Sequence, residues 1–485
     1  MNNILKKALQ KYKSLAVVAK ATMWFLICNV IQKSISLLTT PIFTRIMTTE
    51  QYGYITIYNS WFQILLLIVT LRMDYGVFYK GLNKFNGKID EYTSSMQTFS
   101  VIIAVLLLLI YSCVSNIINS FTELSTLLTI FMFFEVMGAS AVSYWSAKCR
   151  YEYKYKQIVA VTLSISVLNV IFSLICVLKS TDKSTARIIV QAILYFVIGF
   201  GLFVISKRRS SNGINFSYIK YAFLFNLPLI PHYISTYILE QSDRIMIQKM
   251  IGISSAGIYG VAYNAAMVIK IISNSINNSL IPWEYKKLEK KEFDELNTTL
   301  NSFMLLFGTA IVAFISLAPE AMLFLGGTKY IEAVYCIPPV AISCFFIFVW
   351  GMYGNAEFYY DANRFTMYIS MSGAVLNLIL NYIFLRLFGY IAAAYTTLIC
   401  YVLFTVLHLC FANYISKRKT GIRAFSYKAP IIYGLIVIMY SIIVSFIYNN
   451  TIIRYTILII ILGTCFLHRR KIKSILASNK GMMKD

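Results

Sequence analysis

Long apolar stretches dominate this chain of 485 residues and decide what it can fold into. A membrane hydrocarbon core about 30 Å thick is crossed by roughly 20 helical residues, and runs of that length follow one another along nearly the whole sequence. Charged residues make up only 13% of the chain, too few to cover the surfaces of soluble domains. Because the runs are continuous and lack the short alternation of a β-barrel, we predict an all-α polytopic membrane protein. The fourteen predicted transmembrane helices are 16–43, 54–79, 98–118, 124–147, 157–178, 185–206, 217–239, 256–281, 298–318, 333–353, 366–386, 390–415, 429–448 and 452–467.

Basic residues are distributed unequally between the loops on the two sides of the membrane. The chain has 44 Lys and Arg against 20 Asp and Glu, a net charge of +24. If the N-terminus is inside, 31 of the basic residues fall in loops or tails on the inner side and nine on the outer side. This bias is typical of cytoplasmic loops and predicts that both termini are cytoplasmic. It also accounts for the net charge without a nucleic-acid partner.

The sequence contains none of the motifs typical of nucleotide-binding, hydrolytic or zinc-dependent enzymes. Its nine cysteines are scattered without a CxxC pair, and its three histidines are far apart, which argues against a metal site. No predicted loop exceeds roughly 20 residues, so no domain folds outside the membrane. We therefore expect a protein that is not an enzyme, needs no cofactor and no metal, and works through its helical bundle.

Three short motifs recur in the same order at an offset of about 200 residues. Arg45-Ile46-Met47 recurs as Arg244-Ile245-Met246, Tyr54-x-x-x-Tyr58-Asn59 as Tyr259-x-x-x-Tyr263-Asn264, and Val167-Leu168-Asn169 as Val375-Leu376-Asn377. The repeat unit is six predicted helices, an even number, so the two copies keep the same orientation in the membrane. We predict six-helix lobes at residues 1–210 and 211–420, followed at 421–485 by two additional helices and a cytoplasmic tail. Two such lobes around a central cavity are typical of transporters.

Two lysines lie near the middle of predicted helices, where a charge is costly and marks a functional candidate. Lys33 shares a polar helical stripe with Asn29, and Lys270 shares one with Asn274. A polar stripe on a membrane helix must face protein or water, because lipid cannot satisfy it. We predict that these four side chains bind substrate in the cavity.

Further charges within the predicted helices leave alternatives open. Arg72 and Asp74 lie in the cytoplasmic half of the predicted helix 54–79. Arg72 is a candidate substrate ligand, Asp74 is a candidate coupling group, and both are alternatively members of structural ion pairs. Glu135, alone at the centre of the fourth predicted helix, either pairs with a buried cation, takes up a proton or lies on the substrate path.

The first helix of each repeat unit also carries charge at its predicted outer end. Arg45 follows the first helix, and Asp243 and Arg244 follow the seventh. These residues form either an outer gate or simple anchors at the membrane interface. Pro228-x-x-Pro231 interrupts the seventh predicted helix and predicts a bend there.

Two segments of the sequence resemble the signatures of a known transporter family. The first is Lys33-Ser34-x-Ser36-x-x-x-Thr40-Pro41-Ile42-Phe43-Thr44-Arg45, continuing to Gly53, and the second is Ser242-Asp243-Arg244 followed by Gly257-Ile258-Tyr259. They are similar to the signatures of polysaccharide-repeat flippases of the Wzx type, which belong to the multidrug/oligosaccharidyl-lipid/polysaccharide exporter superfamily. The similarity extends over essentially the whole chain and implies a MATE-like fold.

The resemblance implies a function and a location. The protein would move an undecaprenyl-pyrophosphate-linked oligosaccharide, an O-antigen or capsule repeat unit, from the cytoplasmic to the periplasmic face of a bacterial inner membrane. Its expected partners are this lipid-linked oligosaccharide and the bilayer, and a polysaccharide polymerase and a chain-length regulator are candidate protein partners.

Three other functions compete with this interpretation. A flippase for lipid II or a teichoic-type lipid-linked glycan would need the same chemistry. A cation-coupled drug antiporter of the same fold would need acidic residues in its cavity. A membrane glycan polymerase or glycosyltransferase, from a different class, would need a large extramembrane loop or a carboxylate-based motif, and neither is visible in the sequence.

Overall fold

The computed structural model describes residues 17–210 and 213–467, which form helices and turns without any strand. Within these residues thirteen helices are long and apolar enough to cross a membrane. The fourteenth predicted helix corresponds to a shorter one of 17 residues, Thr451–Leu467. The predicted all-α polytopic membrane fold is therefore confirmed. The lysines of the N-terminal tail and the predicted cytoplasmic C-terminal tail lie outside the described residues.

The chain separates into two compact units, which divide between Tyr237 and Ile238. The helices of the first unit are α1 (Val17–Ile46), α2 (Thr49–Thr70), α3 (Gly76–Lys84), α4 (Ile89–Thr122), α5 (Thr126–Tyr151), α6 (Tyr155–Lys179), α7 (Lys183–Arg209) and α8 (Phe216–Asn226). Helix α9 (Ile230–Met250) contains the division, and the second unit continues with α10 (Ile253–Lys290), α11 (Phe293–Ser316), α12 (Ala318–Leu325), α13 (Ile337–Tyr359), α14 (Asn363–Phe388), α15 (Ala392–Thr420), α16 (Lys428–Phe446) and α17 (Thr451–Leu467). The lobe boundaries inferred from the repeat, at residues 210 and 420, stay predictions.

Corresponding helices pack in the same pairs within each unit. In the first unit α5 packs against α7, α2 and α4, and α6 packs against α7. In the second unit α13 packs against α15, α10 and α11, and α14 packs against α15. The order of packing thus repeats with the order of the sequence motifs, and the superposition of two like-oriented lobes stays a prediction.

The second predicted helix, 54–79, differs from the structure. Helix α2 ends at Thr70, because Leu71 and Arg72 adopt left-handed backbone conformations with φ of 47° and 54°. Arg72 and Asp74 therefore lie in a turn and not inside a membrane helix.

The hydrophobic run continues past this turn because the next helix is short but buried. Val77, Phe78 and Leu82 of α3 pack into an apolar cluster with residues of α4, α5 and α8. Hydropathy alone does not separate such a packed short helix from the end of a membrane span, which is why the prediction of one continuous helix was wrong.

The seventh membrane segment is interrupted at the predicted position, while the bend itself stays a prediction. Helix α8 ends at Asn226, residues Leu227–Leu229 form a 3₁₀ turn that contains Pro228, and α9 follows. Helix α9 then continues to Met250, beyond the predicted end at residue 239. The residues around the second signature are therefore helical.

Two glycines allow α5 and α7 to touch through their backbones. A Cβ atom on Gly138 would overlap the backbone at Tyr195 and Phe196, and one on Gly199 would overlap the backbone of Gly138. Small residues at such crossings let membrane helices approach closely. No side-chain movement can relieve either overlap, because the neighbouring atoms belong to the main chain.

An ion pair attaches the last helix of the described chain to the second unit. Arg454 of α17 donates from both terminal nitrogens to the Glu320 carboxylate of α12, each at 2.8 Å, and to the carbonyl oxygen of Ser316 at 2.8 Å. The hydrogen bonds from Arg454 lower the pKa of Glu320. This bidentate arrangement fixes the register of α17 as well as its position.

We expect Gly138→Ala to lower the melting temperature of the purified protein in detergent. The added methyl group meets α7 backbone, and overpacking of this kind costs about 1–3 kcal/mol. Gly201→Ala on α7 is the matched control, because a Cβ atom there meets nothing within 4 Å. Alanine has the higher helix propensity, so the control variant should be as stable as the wild type or more stable. Equal effects of the two substitutions would contradict a backbone contact at Gly138.

We expect Glu320→Gln to destabilise the protein in a pH-dependent way. The pKa of Glu320 is lowered in the folded state, so its pairing stabilises the protein above the ordinary carboxyl pKa of about 4.3 and is lost as the pH falls through the lowered value. The effect should be at most about 1 kcal/mol, because the side chain is 36% exposed. Melting temperatures of wild type and variant should differ at pH 7 and converge towards pH 3. A difference that is constant with pH would rule out the ionic contribution.

Candidate functional site

The carboxyl group of Glu135 is fully buried inside the first unit and is bound only by uncharged donors. Oε2 accepts a hydrogen bond from the hydroxyl of Tyr58 in α2 at 2.7 Å, and Oε1 accepts one from the amide of Gln191 in α7 at 2.8 Å. No basic side chain of the described residues lies within 4.0 Å of it. The buried ion pair considered from the sequence is therefore not formed there, while a role in proton uptake or on the substrate path remains a prediction.

The glycine contact explains how Gln191 reaches Glu135. Gly138 lies one helical turn after Glu135, and the α7 backbone touches it at Tyr195, one turn after Gln191. The close approach of the two helices thus brings the amide within hydrogen-bonding distance. A larger residue at position 138 would push α7 away from the carboxyl group.

A second buried carboxyl group, that of Asp243, lies inside the second unit. It is 1% exposed and accepts hydrogen bonds from the hydroxyls of Tyr259 and Thr397 at 2.9 and 2.7 Å and from the amide of Asn381 at 2.7 Å. The carbonyl oxygen of the Asn377 side chain adds another buried oxygen atom next to Asn381. One carboxylate among several neutral oxygen atoms can hold a proton or a small hard cation. The predicted role of Asp243 in an outer gate stays a prediction, and its surroundings are those of an interior residue.

The arginines that the sequence placed beside an outer gate have local partners. Arg244 donates to the Gln241 side chain at 2.8 Å, and its guanidinium lies 4.2 Å from the centre of the Tyr263 ring. Arg45 is exposed and donates to the backbone carbonyl of Pro41 at 3.0 Å. Neither arginine forms an ion pair within the described residues.

The two predicted cavity lysines have different surroundings. Lys33 is exposed, as is Asn29 one turn before it, and no carboxylate of the described residues pairs with Lys33. Lys270 donates to Glu240 at 2.5 Å, whereas Asn274 is exposed. The partner of Lys270 was missed because the predicted seventh helix ended at residue 239.

Arg72 and Asp74 do not pair with each other. The Arg72 guanidinium lies 5.2 Å from the ring centre of Tyr75 and 5.7 Å from that of Tyr237. Asp74 accepts a hydrogen bond from the Ser143 hydroxyl at 2.5 Å through Oδ2, while its buried Oδ1 has no partner within the described residues. Arg72 therefore forms no ion pair within the first unit, which leaves its charge for a ligand.

Two further buried carboxyl groups in the second unit were not singled out from the sequence. Glu357 accepts from Thr366 at 2.7 Å and lies 2.8 Å from His408 Nδ1, and Glu284 accepts from Asn355 at 2.7 Å. Both glutamates fell in predicted loops, whereas α10 and α13 extend past them. The sequence held one indication of their burial, because each glutamate lies within one or two helical turns of an apolar run.

Sequence comparison identifies the family. The family described as "Polysaccharide biosynthesis protein" matches residues 18–287, more than half of the chain. The chain belongs to this family. The match confirms the resemblance to polysaccharide flippases of the exporter superfamily.

Two relatives and two solved structures extend this result. A Haemophilus influenzae protein described as "Lsg locus putative protein 1" is 25% identical over 74% of this chain and 89% of its own length. A Haloferax volcanii protein described as "Probable low-salt glycan biosynthesis flippase Agl15" is 22% identical over 82% of this chain and 84% of its own. The structure of the lipid II flippase MurJ in an inward closed conformation aligns with a TM-score of 0.65 and 17% identity, over 93% of this chain and 100% of that one. An inward-facing MATE multidrug transporter aligns with a TM-score of 0.64 and 12% identity, over 80% and 96%, so the predicted MATE-like fold is confirmed.

We expect Glu135→Leu to destabilise the first unit and Glu135→Gln to be tolerated. Leucine leaves the Tyr58 hydroxyl and one N–H of the Gln191 amide without an acceptor, at a cost of about 1–3 kcal/mol for each buried donor. The amide keeps its other hydrogen bond, to the Asn59 side-chain oxygen at 3.2 Å. Glutamine keeps the shape and one carbonyl acceptor. Thermal unfolding of both variants checks this, and Tyr58→Phe combined with Glu135→Leu should recover part of the loss. A leucine variant as stable as the wild type would show that the cluster is not held by these hydrogen bonds.

Proposed function

We propose that the protein is a flippase that moves a lipid-linked glycan across the membrane by alternating access. In its specific form the substrate is an undecaprenyl-pyrophosphate-linked O-antigen or capsule repeat unit, moved from the cytoplasmic to the periplasmic face of a bacterial inner membrane. The family match and the relative described as a glycan flippase support this proposal. A multi-pass chain with both termini in the cytoplasm is part of the same proposal and rests on the loop charges.

The proposal rests on the surroundings of Lys33. It is a mid-helix lysine that is exposed on its own unit and has no carboxylate partner among the described residues. A lipid-linked diphosphate needs such a cation to replace the water lost around its negative charges. Asn29, on the same polar stripe, offers hydrogen bonds to the glycan.

Lys270 enters the proposal in a different way. Its ammonium group is already paired with Glu240, so a diphosphate would have to compete with that carboxylate. Because Glu240 competes for the ammonium group, it can displace a bound diphosphate, and a transporter must release its substrate. Arg72 and Asn274 complete the proposed binding residues, with Glu135 and Asp74 as candidate coupling groups.

The competing functions are separable by substrate. A flippase for lipid II or a teichoic-type glycan would accept a different lipid-linked sugar, and a drug antiporter would accept organic cations and no lipid-linked diphosphate. A membrane polymerase would join glycan units and change their length. A polysaccharide polymerase and a chain-length regulator remain proposed protein partners.

We expect Lys33→Ala to lower flipping at least about tenfold in proteoliposomes that contain a fluorescent undecaprenyl-diphosphate oligosaccharide. The measured quantity is the rate at which the fluorophore becomes inaccessible to a membrane-impermeant quencher. Lys33→Arg should restore part of the rate, because the charge returns. Lys270→Ala should also lower the rate, and Glu240→Gln should raise substrate affinity by freeing Lys270.

Lys156→Ala is the control, since this lysine is exposed and lies in a predicted inner loop. Melting temperatures of all variants confirm that they fold. Normal flipping by a Lys33→Ala, Lys270→Ala double variant would exclude the binding role of both lysines. Absence of flipping by the wild type, with transport of organic cations instead, would favour the antiporter.

A further inference from the structure

An unusual concentration of positive charge lies where α1 ends and α7 begins. Inner loops hold most of the basic residues of the chain, yet four of the nine predicted on the outer side fall in the first unit. They are Arg45, Lys179, Lys183 and Arg187. The structure brings Lys183 and Arg187 of α7 against the last turn of α1. Because orientation in the membrane disfavours cations on that side, their presence calls for another reason.

The Arg187 guanidinium lies over two aromatic rings. Its guanidinium carbon lies 3.8 Å from the ring centre of Phe43 and 5.8 Å from that of Tyr52, and both rings are buried. The guanidinium also forms a hydrogen bond with the Tyr52 side chain, so part of its edge is already occupied. One nitrogen on that edge, Nη1, is buried and has no hydrogen-bond partner within the described residues. A buried charged donor without a partner is costly, so an acceptor placed beside Nη1 would stabilise it.

Lys183 lies one helical turn before Arg187 and on the same face of α7. Its ammonium group donates to the backbone carbonyl of Ile46 at 2.7 Å, which uses one of its three protons. The N-terminus of α7 is capped by the Asp182 carboxylate and is not counted with these two charges. Two full charges thus lie beside the last turn of α1.

No carboxylate of the described residues pairs with Lys183 or Arg187. The nearest acidic residue in sequence, Asp182, accepts hydrogen bonds from the Ser184 hydroxyl and the Thr185 backbone amide. Glu50 in the first turn of α2 is exposed and forms no ion pair with any residue that the structure describes. Within the described residues, no Asp or Glu oxygen lies within 4.0 Å of Lys183 or Arg187. Neither positive charge is therefore neutralised by a carboxylate of the described residues.

We infer that Arg187 and Lys183 form a binding site for a phosphate or diphosphate group at this end of the first unit, separate from the proposed site at Lys33. The planar fork of an arginine matches two phosphate oxygens, and the adjacent lysine supplies a second point charge. The loop charges predict that this end faces outward, so the site would receive the diphosphate of the flipped lipid after translocation. That last step rests on the proposed function, whereas anion binding at Arg187 does not.

The experiment measures binding and not transport. Inorganic pyrophosphate is titrated into the purified full-length protein that carries Lys33→Ala and Lys270→Ala, so that the proposed transport site cannot contribute. We expect binding to persist in this background and to weaken at least about tenfold when Arg187→Gln is added. Arg187→Lys should retain part of the affinity. Lys179→Gln is the matched control, because it removes a charge from an exposed residue at the same predicted side and should change the affinity less than about twofold.

A second arm separates the possible sources of the phosphate. Binding of phosphatidylglycerol, with phosphatidylcholine as the uncharged reference, is measured for the same variants in lipid nanodiscs. A loss with Arg187→Gln for pyrophosphate alone supports a diphosphate site, and a loss for phosphatidylglycerol as well supports a site for phosphate groups that phospholipids also enter. Unchanged binding of both ligands by a folded Arg187→Gln variant would overturn the inference and leave Arg187 as a packing residue. Failure of the Lys33 variants to affect flipping would not bear on this result.

Discussion

A carboxyl group that leaves water must find hydrogen-bond donors on neighbouring helices, and this requirement organises both units. In the first unit the group is Glu135, which ties α5 to α2 and α7. In the second it is Asp243, which ties α9 to α10, α14 and α15. Lipid offers no donors, so each carboxyl group specifies which helices surround it. The apolar contacts between the same helices are far less selective, because lipid tails satisfy them nearly as well.

The sequence repeat preserves the order of helix packing and not the position of the buried acid. Glu135 lies on the fourth membrane helix of its unit, whereas Asp243 lies on the first of its own. The repeated tyrosine motif serves both, since Tyr58 contacts Glu135 and Tyr259 contacts Asp243. Tyr58 is the second tyrosine of its motif, whereas Tyr259 is the first tyrosine of its own. The two units therefore share a framework but present different ionisable groups, which is compatible with different tasks in one transport cycle.

Much of the fold could be predicted from the sequence, because the hydrophobic length required by a bilayer leaves few alternatives. The helix ends were less predictable. A hydropathy window merged α3 with α2 and ended α9 too early, because it averages composition alone. It does not detect a residue with a left-handed backbone conformation, such as Leu71. It also does not detect that a polar residue has hydrogen-bond partners inside the protein. Because of the second error, the pairing of Lys270 with Glu240 was not predicted. The uncharged partners of Glu135 could not be predicted, because Gln191 is distant in sequence and reaches it only through the glycine contact.

The ion pair between Glu320 and Arg454 has a consequence for how the chain is made. The two residues are separated by more than a hundred positions, and α17 is the last helix that the structure describes. During synthesis Glu320 emerges long before its partner, so α12 stays without its anchor until α13 to α17 have been made. Completion of the second unit thus waits for the synthesis of α17. A chain shortened before α17 would present an unneutralised carboxylate at the membrane surface, a mark by which quality control can distinguish an unfinished protein from a finished one.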